Sequence, residues 1–345
     1  MGLKILLLSH RFSPEIGGIE VNSEIYAHAF TAAGHEVRVV TWSTANEPTT
    51  FPFPVVRSPS SRVLFREHAW ADVVFENNPC LRLAWPALFF RRPSVISLNM
   101  ELPPATAATR LKQIWLHRAD AIIAVSEAVR QHSWPDATVI GNPYREQAFR
   151  ILPNITRGSN FVFLGRLVEQ KGTHHAIQAF ELVLARLAQV PTGLPEPKLT
   201  IIGDGSEREM LEQMVASLGL ANHVHFTGFL HGEALLQQLN QHRFLLVPSL
   251  AGEAFGNVVL EGLACGCLPL VSDSGGLPDA VGRAGLVFKH NDTAALADCI
   301  WQILHDKDLE HQLRQEIPAH LAMHQSGMVA QRYLQVLQTA AAPRQ

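Results

Sequence analysis

The stretch FVFLGRLVEQKG, residues 161–172, joins a short apolar run to a turn that carries two cations. An uninterrupted apolar run bounded by turn residues predicts a strand buried on both faces, as in a parallel sheet. The carboxyl ends of parallel strands line the ligand crevice, so Arg166 and Lys171 leave this strand on the expected binding side. Two cations there could neutralise a diphosphate. An ordinary solvated turn is the alternative that the stretch alone leaves open.

Similar strand patterns recur along the chain and alternate with helical stretches, which is typical of α/β proteins. Strands are predicted first at Lys4–Ser9, Glu36–Thr41, Asp72–Glu76, Ser94–Leu98, Asp120–Val125 and Thr138–Ile140, and then at Phe161–Leu164, Lys198–Ile202, His223–Phe226, Phe244–Val247 and Leu268–Val271. A polar stretch from Gly141 to Asn160 separates the two series. We predict an α/β fold with a domain at 1–150, a second at 151–325 and a last helix within 326–345 that packs back onto the first domain.

Length and composition limit the functions to be considered. A chain of 345 residues suits two domains, and a net charge of −3 argues against a nucleic-acid partner. The four cysteines show no paired framework, which favours a reducing compartment. The sequence shows no signal-peptide pattern and no apolar run of the roughly 18–20 residues that a membrane span needs. We expect a cytoplasmic protein that associates at most peripherally with the inner face of the membrane.

A second stretch, PSLAGEAFGNVVLEGLACGCLP at residues 248–269, strengthens the prediction of a phosphate site. A helix is expected to begin near Gly256 and Asn257, where free backbone N–H groups could bind phosphate. Glu261, one turn later, could accept hydrogen bonds from ribose hydroxyls, and Glu253 lies where an attached sugar would be. An exposed loop acid and an acid near the helix start are the alternatives for these two glutamates.

The spacing of Glu253 and Glu261 resembles the E-x7-E signature of the family-4 retaining glycosyltransferases, which are group 1 glycosyl transferases of the GT-B type. The resemblance extends over five further segments in the family's order: RADAIIAVSEAVR (118–130), GRLVEQKG (165–172), IIGDGSERE (201–209), HVHFTGFL (223–230) and SDSGGLPDAV (272–281). Several segments in one order make a chance match improbable. The resemblance implies two Rossmann-like, doubly wound parallel-sheet domains that face each other across a cleft. The first would bind the acceptor and the second the nucleotide-sugar donor.

The resemblance also implies roles for individual residues. Arg166 and Lys171 would hold the donor diphosphate, Glu261 the ribose and Glu253 the donor sugar, so that Glu253, Arg166 and Lys171 form the catalytic set. Further donor contacts are implied at Phe255, Gly256 and Asn257, at the base-contacting segment with Gly228, Phe229 and Leu230, and at the glycine pair Gly17 and Gly18.

The implied reaction is the retaining transfer of a hexose from a nucleotide sugar to a carbohydrate or lipid-linked glycan, in surface polysaccharide or glycoconjugate biosynthesis. No metal and no cofactor beyond the nucleotide-sugar co-substrate is expected, since the sequence has no HExxH, DxD or clustered Cys and His. Asn99 stands where many members have a histidine that reaches the donor sugar. Asn99 and His10 are therefore weaker candidates, and residues 43–110 match no known pattern.

Three other functions are weighed against this one. A dinucleotide-dependent oxidoreductase would need G-x-G-x-x-G after the first strand, where this chain has HRFSPEIGG. A nucleotide-sugar epimerase of the same fold, or a degenerate glycosyltransferase that acts as a binding subunit, remains open because fold does not fix function.

The apolar and basic stretches at 62–66 and 81–93 could rest on an anionic bilayer, and core helices with arginines at their rims are the alternative.

Overall fold

The computed structural model describes residues 2–15, 17–44, 50–102, 106–158, 160–190 and 196–342. The chain forms two compact units, residues 1–143 with 324–345, and residues 144–323. The predicted boundary at residue 150 thus falls inside the second unit. The reason is local, because Arg145 approaches Glu261 at 3.9 Å and Leu152 N donates to Asn240 Oδ1 at 2.8 Å.

The first unit contains, among its described residues, a parallel sheet of seven strands in the order β3-β2-β1-β4-β5-β6-β7. The strands are β1 Lys4–Ser9, β2 Glu36–Thr41, β3 Val55–Arg57, β4 Val73–Asn77, β5 Ser94–Leu98, β6 Ala121–Ala124 and β7 Thr138–Val139. The helices between them are α1 Gly18–Ala32, α2 Ser61–Trp70, α3 Leu81–Ala84, α4 Ala107–Leu116 and α5 Glu127–Ser133, and a 3-10 turn spans Trp85–Leu88.

The second unit contains, over the part that is described, a parallel sheet of six strands in the order β10-β9-β8-β11-β12-β13. Its strands are β8 Phe161–Leu164, β9 Leu199–Ile202, β10 Val224–Gly228, β11 Phe244–Val247, β12 Leu268–Ser272 and β13 Leu286–Phe288. Its helices are α6 Thr173–Gln189, α7 Arg208–Ser217, α8 Gly232–Gln241, α9 Asn257–Ala264, α10 Leu277–Val281, α11 Thr293–His305 and α12 Lys307–Met323, and a 3-10 turn spans Glu169–Lys171.

The last helix, α13 Ser326–Ala341, packs within the first unit against α1, β4 and β5. Its Tyr333 is fully buried, stacks on Tyr26 of α1 at a centroid distance of 4.4 Å and lies 3.1 Å from Ser97 Oγ through its hydroxyl. Ring stacking and burial of apolar area, more than helical propensity, stabilise a helix packed in this way. The chain after residue 323 is therefore an integral layer of the first unit's core.

The burial of β1 shows why the apolar runs become central strands. Ile5, Leu6, Leu7 and Leu8 are all fully buried, although successive side chains of a strand point to opposite faces. A strand covered on both faces needs apolar residues at every position. The sequence-based prediction missed two edge strands, β3 and β13, because each has only three residues and so gives little pattern to detect.

Candidate functional site

The second unit has a topological switch point between β8 and β11, which are adjacent in the sheet but far apart in the chain. Crossovers leave these two strands in opposite directions across the sheet, which opens a crevice at their carboxyl ends. The two loops that follow, residues 165–172 and 248–256, are the stretches in which the sequence predicted a phosphate site. The topology therefore brings both stretches to one edge of one sheet.

The two loops approach each other closely at Gly172. Gly172 has φ +65°, and a Cβ there would lie 2.0 Å from Pro248 O, so no other residue fits without moving the backbone. Beside it, Leu250 N donates to Gln170 O at 2.8 Å. This contact joins the end of β8 to the end of β11 and fixes the side chains on both loops relative to each other.

An ion pair between Lys171 and Glu253 lies across this junction. Lys171 Nζ donates to Glu253 Oε1, and the two side chains are 26% and 11% exposed. Ser249 Oγ donates to the same carboxylate oxygen at 2.9 Å, while Ser272 Oγ donates to Ser249 O at 2.6 Å and steadies the loop. Two residues that the resemblance assigned to the catalytic set, a cation and an acid, are thus in direct contact.

The backbone around Glu253 is supported by a glycine pair after β12. Gly275 has φ +56°, and a Cβ there would lie 2.1 Å from Glu253 O. Gly276 N donates to Glu253 O at 2.8 Å, and a Cβ on Gly276 would lie 2.2 Å from Ala254 O. Both glycines are needed because the Glu253 loop lies directly against the backbone of the next loop.

Helix α9 begins beside this loop, with its amino end at Gly256. Gly256 has φ +100°, and a Cβ there would meet Leu277 Cδ2 at 2.5 Å. Asn257 is the first helical residue, and Phe255 is buried beneath the turn. The first N–H groups of a helix lack partners within the helix and carry its positive dipole end, which suits an anionic ligand.

Glu261 lies one turn into α9. Its side chain is 22% exposed, and its carboxylate lies 3.9 Å from an Arg145 nitrogen. Burial raises the pKa of Glu261, and the charge of Arg145 partly offsets this effect. A mostly buried acid with one distant ion pair has oxygens left to accept hydrogen bonds from a ligand such as a sugar diol.

The turn after β10 forms a third part of this sheet edge. Gly203 N donates to Gly228 O at 2.9 Å, and a Cβ on Gly203 would lie 1.8 Å from Gly165 O. The predicted base-contacting residues therefore lie at the carboxyl end of β10, two places from β8 in the sheet: Gly228 is its last residue, and Phe229 and Leu230 follow it. Phe229 is 68% exposed, and its ring stacks over that of His231 at 5.8 Å.

Arg166 lies on the β8 loop with an exposed side chain, and its guanidinium has no ion pair among the described residues. Backbone contacts hold the segment around it, since Leu167 N donates to Asp204 O at 2.9 Å and Val168 N donates to Arg166 O at 3.0 Å. An unpaired cation on a fixed turn is available to bind an anion.

The remaining predicted residues lie in the first unit. Gly17 is the N-cap of α1 and Gly18 is its first residue, and a Cβ on Gly17 would lie 2.3 Å from a Glu20 carboxylate oxygen. His10 directly follows β1. Burial lowers the pKa of His10, and the charges of Arg82 and Lys112 lower it further.

Asn99 follows β5, and its side chain is hydrogen-bonded within the first unit. Its Nδ2 donates to Asn77 Oδ1 at 2.7 Å, and Asn77 Nδ2 donates to Ser23 Oγ at 2.7 Å and to Ile19 O at 3.1 Å. The Asn99 side-chain amide therefore supports Asn77, which in turn contacts the first two turns of α1. Asn99 Oδ1 is buried and has no partner in the described part of the chain.

Glu76, which the sequence reading did not single out, is a buried acid at the end of β4. It is 1% exposed and accepts hydrogen bonds from Cys80 N at 2.7 Å and from Trp115 Nε1 at 2.8 Å. Burial raises its pKa to about 7, although both hydrogen bonds act in the opposite direction. A lone acid inside an apolar strand was the only sequence signal for it.

Among the described residues, no group of three or more His, Cys, Asp or Glu side chains has an arrangement that could hold a metal ion. Over the same residues, no helix is long and apolar enough to cross a membrane.

Two Rossmann-like units with all-parallel sheets define the class as a GT-B glycosyltransferase fold. Solved structures support this assignment. The structure of Anabaena HepE in complex with UDP aligns with a TM-score of 0.79 at 21% identity and covers 98% of this chain and 100% of that one. WaaG, a glycosyltransferase involved in lipopolysaccharide biosynthesis, aligns with a TM-score of 0.67 at 16% identity over 96% of this chain and 99% of its own.

The chain belongs to the glycosyl transferases group 1 family, whose pattern matches residues 145–320. An exopolysaccharide phosphotransferase of Streptomyces coelicolor is 29% identical over 251 residues, which are 69% of this chain and 25% of that protein. A D-inositol 3-phosphate glycosyltransferase of Corynebacterium jeikeium is 30% identical over 169 residues, 46% of this chain and 38% of that protein. The chain thus spans well under half the length of these relatives.

Proposed function

We propose that this protein is a retaining glycosyltransferase that moves a hexose from a nucleotide sugar to a glycan or lipid-linked glycan. The contact that carries the proposal is the Lys171–Glu253 ion pair at the switch point, with Ser249 on the same carboxylate oxygen. Membership of the group 1 family supports the reaction class. HepE, which has the same fold, binds UDP and UDP-glucose, so UDP-sugars are the first donors to examine.

The proposed chemistry follows from the charges at this sheet edge. The bond between the anomeric carbon and the diphosphate oxygen breaks, and the nucleotide diphosphate leaves with the electron pair. Arg166, Lys171 and the amino end of α9 stabilise its growing negative charge. The acceptor hydroxyl forms its bond to the anomeric carbon on the face that the nucleotide leaves, and its proton departs with the nucleotide.

Glu253 has a second role in this proposal, because it holds Lys171 before the donor arrives. A lysine half-removed from water is stabilised by a carboxylate at contact distance. When the donor binds, its phosphates compete for the ammonium group, and Glu253 becomes free to accept hydrogen bonds from the sugar hydroxyls. Cations and backbone dipoles supply the stabilisation in this scheme, and we propose that no metal is required.

The first test is nucleotide release from a panel of UDP-, GDP-, ADP- and dTDP-sugars. We expect slow release from one donor, lowered by at least about tenfold in Glu253→Gln and in Lys171→Ala, because each change removes a charge-assisted contact. Lys198→Ala and Glu181→Gln are matched controls. Lys198 lies just before β9, at the amino ends of the strands and so away from the proposed site, and Glu181 lies within α6. Both should keep wild-type release, and EDTA should not change it.

Each other outcome identifies a different function. Conversion of a donor into its epimer without transfer to any carbohydrate would indicate an epimerase. Stabilisation by nucleotides without turnover would indicate a binding subunit. No release and no thermal stabilisation by any nucleotide would refute the donor site. Once an acceptor is found, the anomeric configuration of the product, read by NMR, decides whether the transfer is retaining.

A further inference from the structure

The first unit has an aromatic cluster at the surface, formed by α2 and the turn after α3. The ring of Phe65 lies 5.1 Å from that of Trp85, 5.3 Å from that of Phe89 and 5.8 Å from that of Phe90. The cluster is built from two segments, residues 61–70 and 85–90, so the side chains converge by folding and not by proximity in sequence.

Part of this cluster faces solvent. Leu88 is 55% exposed and Phe89 is 68% exposed, and the two are adjacent at the tip of the turn. Large apolar residues at the surface are common singly, but here the exposed Phe89 ring packs on those of Phe65 and Trp85, next in sequence to the exposed Leu88, and forms a larger apolar patch. Such a patch indicates an interaction surface.

Arginines flank the patch on both segments, with Arg62 one helical turn before Phe65 and Arg91 directly after Phe90. Arg62 and Arg91 are exposed and have no ion pair among the described residues. Arg92 is exposed and donates to Ala69 O at 3.0 Å, at the end of α2. The cluster Phe65, Trp85, Leu88, Phe89 and Phe90 with its rim of Arg62, Arg66, Arg91 and Arg92 is called the aromatic–arginine surface below.

Glu67, which follows Arg66 on α2, does not neutralise these arginines. Glu67 is buried, and its carboxylate is shared by Arg66, at 2.8 Å, and Arg38, at 2.8 Å. One buried carboxylate therefore offsets one of two arginines, and the rim keeps a net positive charge. An apolar tip ringed by arginines is complementary to a surface with an anionic layer above an apolar interior.

We propose that the aromatic–arginine surface docks the protein on a membrane that contains anionic lipid. Leu88 and Phe89 enter the boundary between head groups and acyl chains, where aromatic side chains are favoured. The arginines contact lipid phosphates, for which the guanidinium group is well suited. The proposal does not depend on the glycosyltransferase reaction, because it concerns a surface of the first unit alone.

The test is co-sedimentation of the full chain with vesicles of phosphatidylcholine, with or without about 30% phosphatidylglycerol. Wild type is expected to bind the anionic vesicles and not the neutral ones. Arg62→Gln with Arg91→Gln should weaken partitioning by roughly 30-fold, because each arginine near such a surface contributes about five- to sixfold. Leu88→Ser with Phe89→Ser should weaken it by a similar factor or more.

Two controls keep the test specific to this surface. Leu111 and Ile114 of α4 are 59% and 62% exposed, so Leu111→Ser with Ile114→Ser removes similar apolar area elsewhere in the same unit. Arg283→Gln removes an exposed arginine in the second unit. Both are expected to bind vesicles as wild type does, and each variant's circular dichroism and thermal unfolding establish that it is folded.

Three results would overturn the proposal. The first is no binding of wild type to anionic vesicles. The second is that the α4 variant loses vesicle binding while the Leu88 and Phe89 variant keeps it, which would assign docking to α4. The third is a wild-type dimer by sedimentation velocity that the Leu88 and Phe89 variant dissociates without any vesicle binding, which would make the surface an interface between two copies of the chain.

Discussion

Gly275 holds Glu253 in place through its missing side chain, and Gly275→Ala tests this arrangement. A Cβ at position 275 would lie 2.1 Å from Glu253 O, whereas real Cβ atoms essentially never approach another atom more closely than 3.0 Å. The Glu253 segment must therefore retreat by about 1 Å, a displacement that can lower turnover by about 10²-fold at a reacting centre.

The effect on stability follows from the same contact. Gly275 has φ +56°, and a left-handed conformation costs a residue with a Cβ about 1–2 kcal/mol. Retreat of the segment also strains the hydrogen bond from Gly276 N to Glu253 O, worth about 0.5–1.5 kcal/mol. The free energy of unfolding should fall by roughly 2–3 kcal/mol.

Gly219→Ala is the matched control, because Gly219 has φ +70° but a Cβ there would meet nothing within 4 Å. It should lose only about 1–2 kcal/mol of stability and keep its rate of nucleotide release. Chemical denaturation gives the stability of both variants, and nucleotide release from the preferred donor gives their kcat/KM. If Gly275→Ala releases nucleotide as fast as Gly219→Ala, the Glu253 backbone is not held by this contact and the reasoning fails.

Two other side chains give predictions of their own. Burial raises the pKa of Glu76 to about 7 from an ordinary 4.5, so the folded protein keeps this proton to higher pH than the unfolded chain does. Wild type should therefore lose about 3 kcal/mol of stability relative to Glu76→Gln as pH rises from about 4.5 to 7, measured by urea denaturation, and a constant difference across this range would contradict the assignment. Ser249→Ala removes the hydroxyl that donates to Glu253 Oε1 and should lower kcat/KM for nucleotide release by about 3–10-fold. Ser217→Ala, whose hydroxyl donates only within its own helix, should leave kcat/KM unchanged, and equal rates in both variants would exclude a role for Ser249.

The local pattern of the sequence was sufficient to predict the central strands and the turns that follow them. Short continuous apolar runs bounded by turn residues, such as β1 and β8, favour strands covered on both faces, and the structure has them at the predicted residues. The start of α9 at Gly256 and Asn257 was equally predictable, because a glycine before an apolar helical stretch marks a helix boundary. The prediction of two Rossmann-like domains was confirmed by the observed sheets.

Contacts between distant segments were decided only by the tertiary structure. Lys171 and Glu253 are separated by 82 positions, and nothing local to either residue shows that they share one ion pair. The same holds for Ser249 as a donor to Glu253, and for Asn99, whose amide nitrogen contacts Asn77. Such pairs form because parallel strands return to one edge only after long crossovers, so the partner is set by strand order and not by spacing.

The unit boundary and the buried acid show the same division. The polar stretch from residue 141 to 160 indicated a connection, but the hydrogen bonds of residues 145–152 attach most of it to the second unit. In the sequence Glu76 is only an acid at a strand end. The hydrogen bond that it accepts from Trp115, 39 positions away, is visible only in the structure. A sequence by itself determines which residues are apolar, charged or flexible in each segment. The tertiary structure determines which of them meet, because burial and hydrogen bonding depend on neighbours that are remote in the chain.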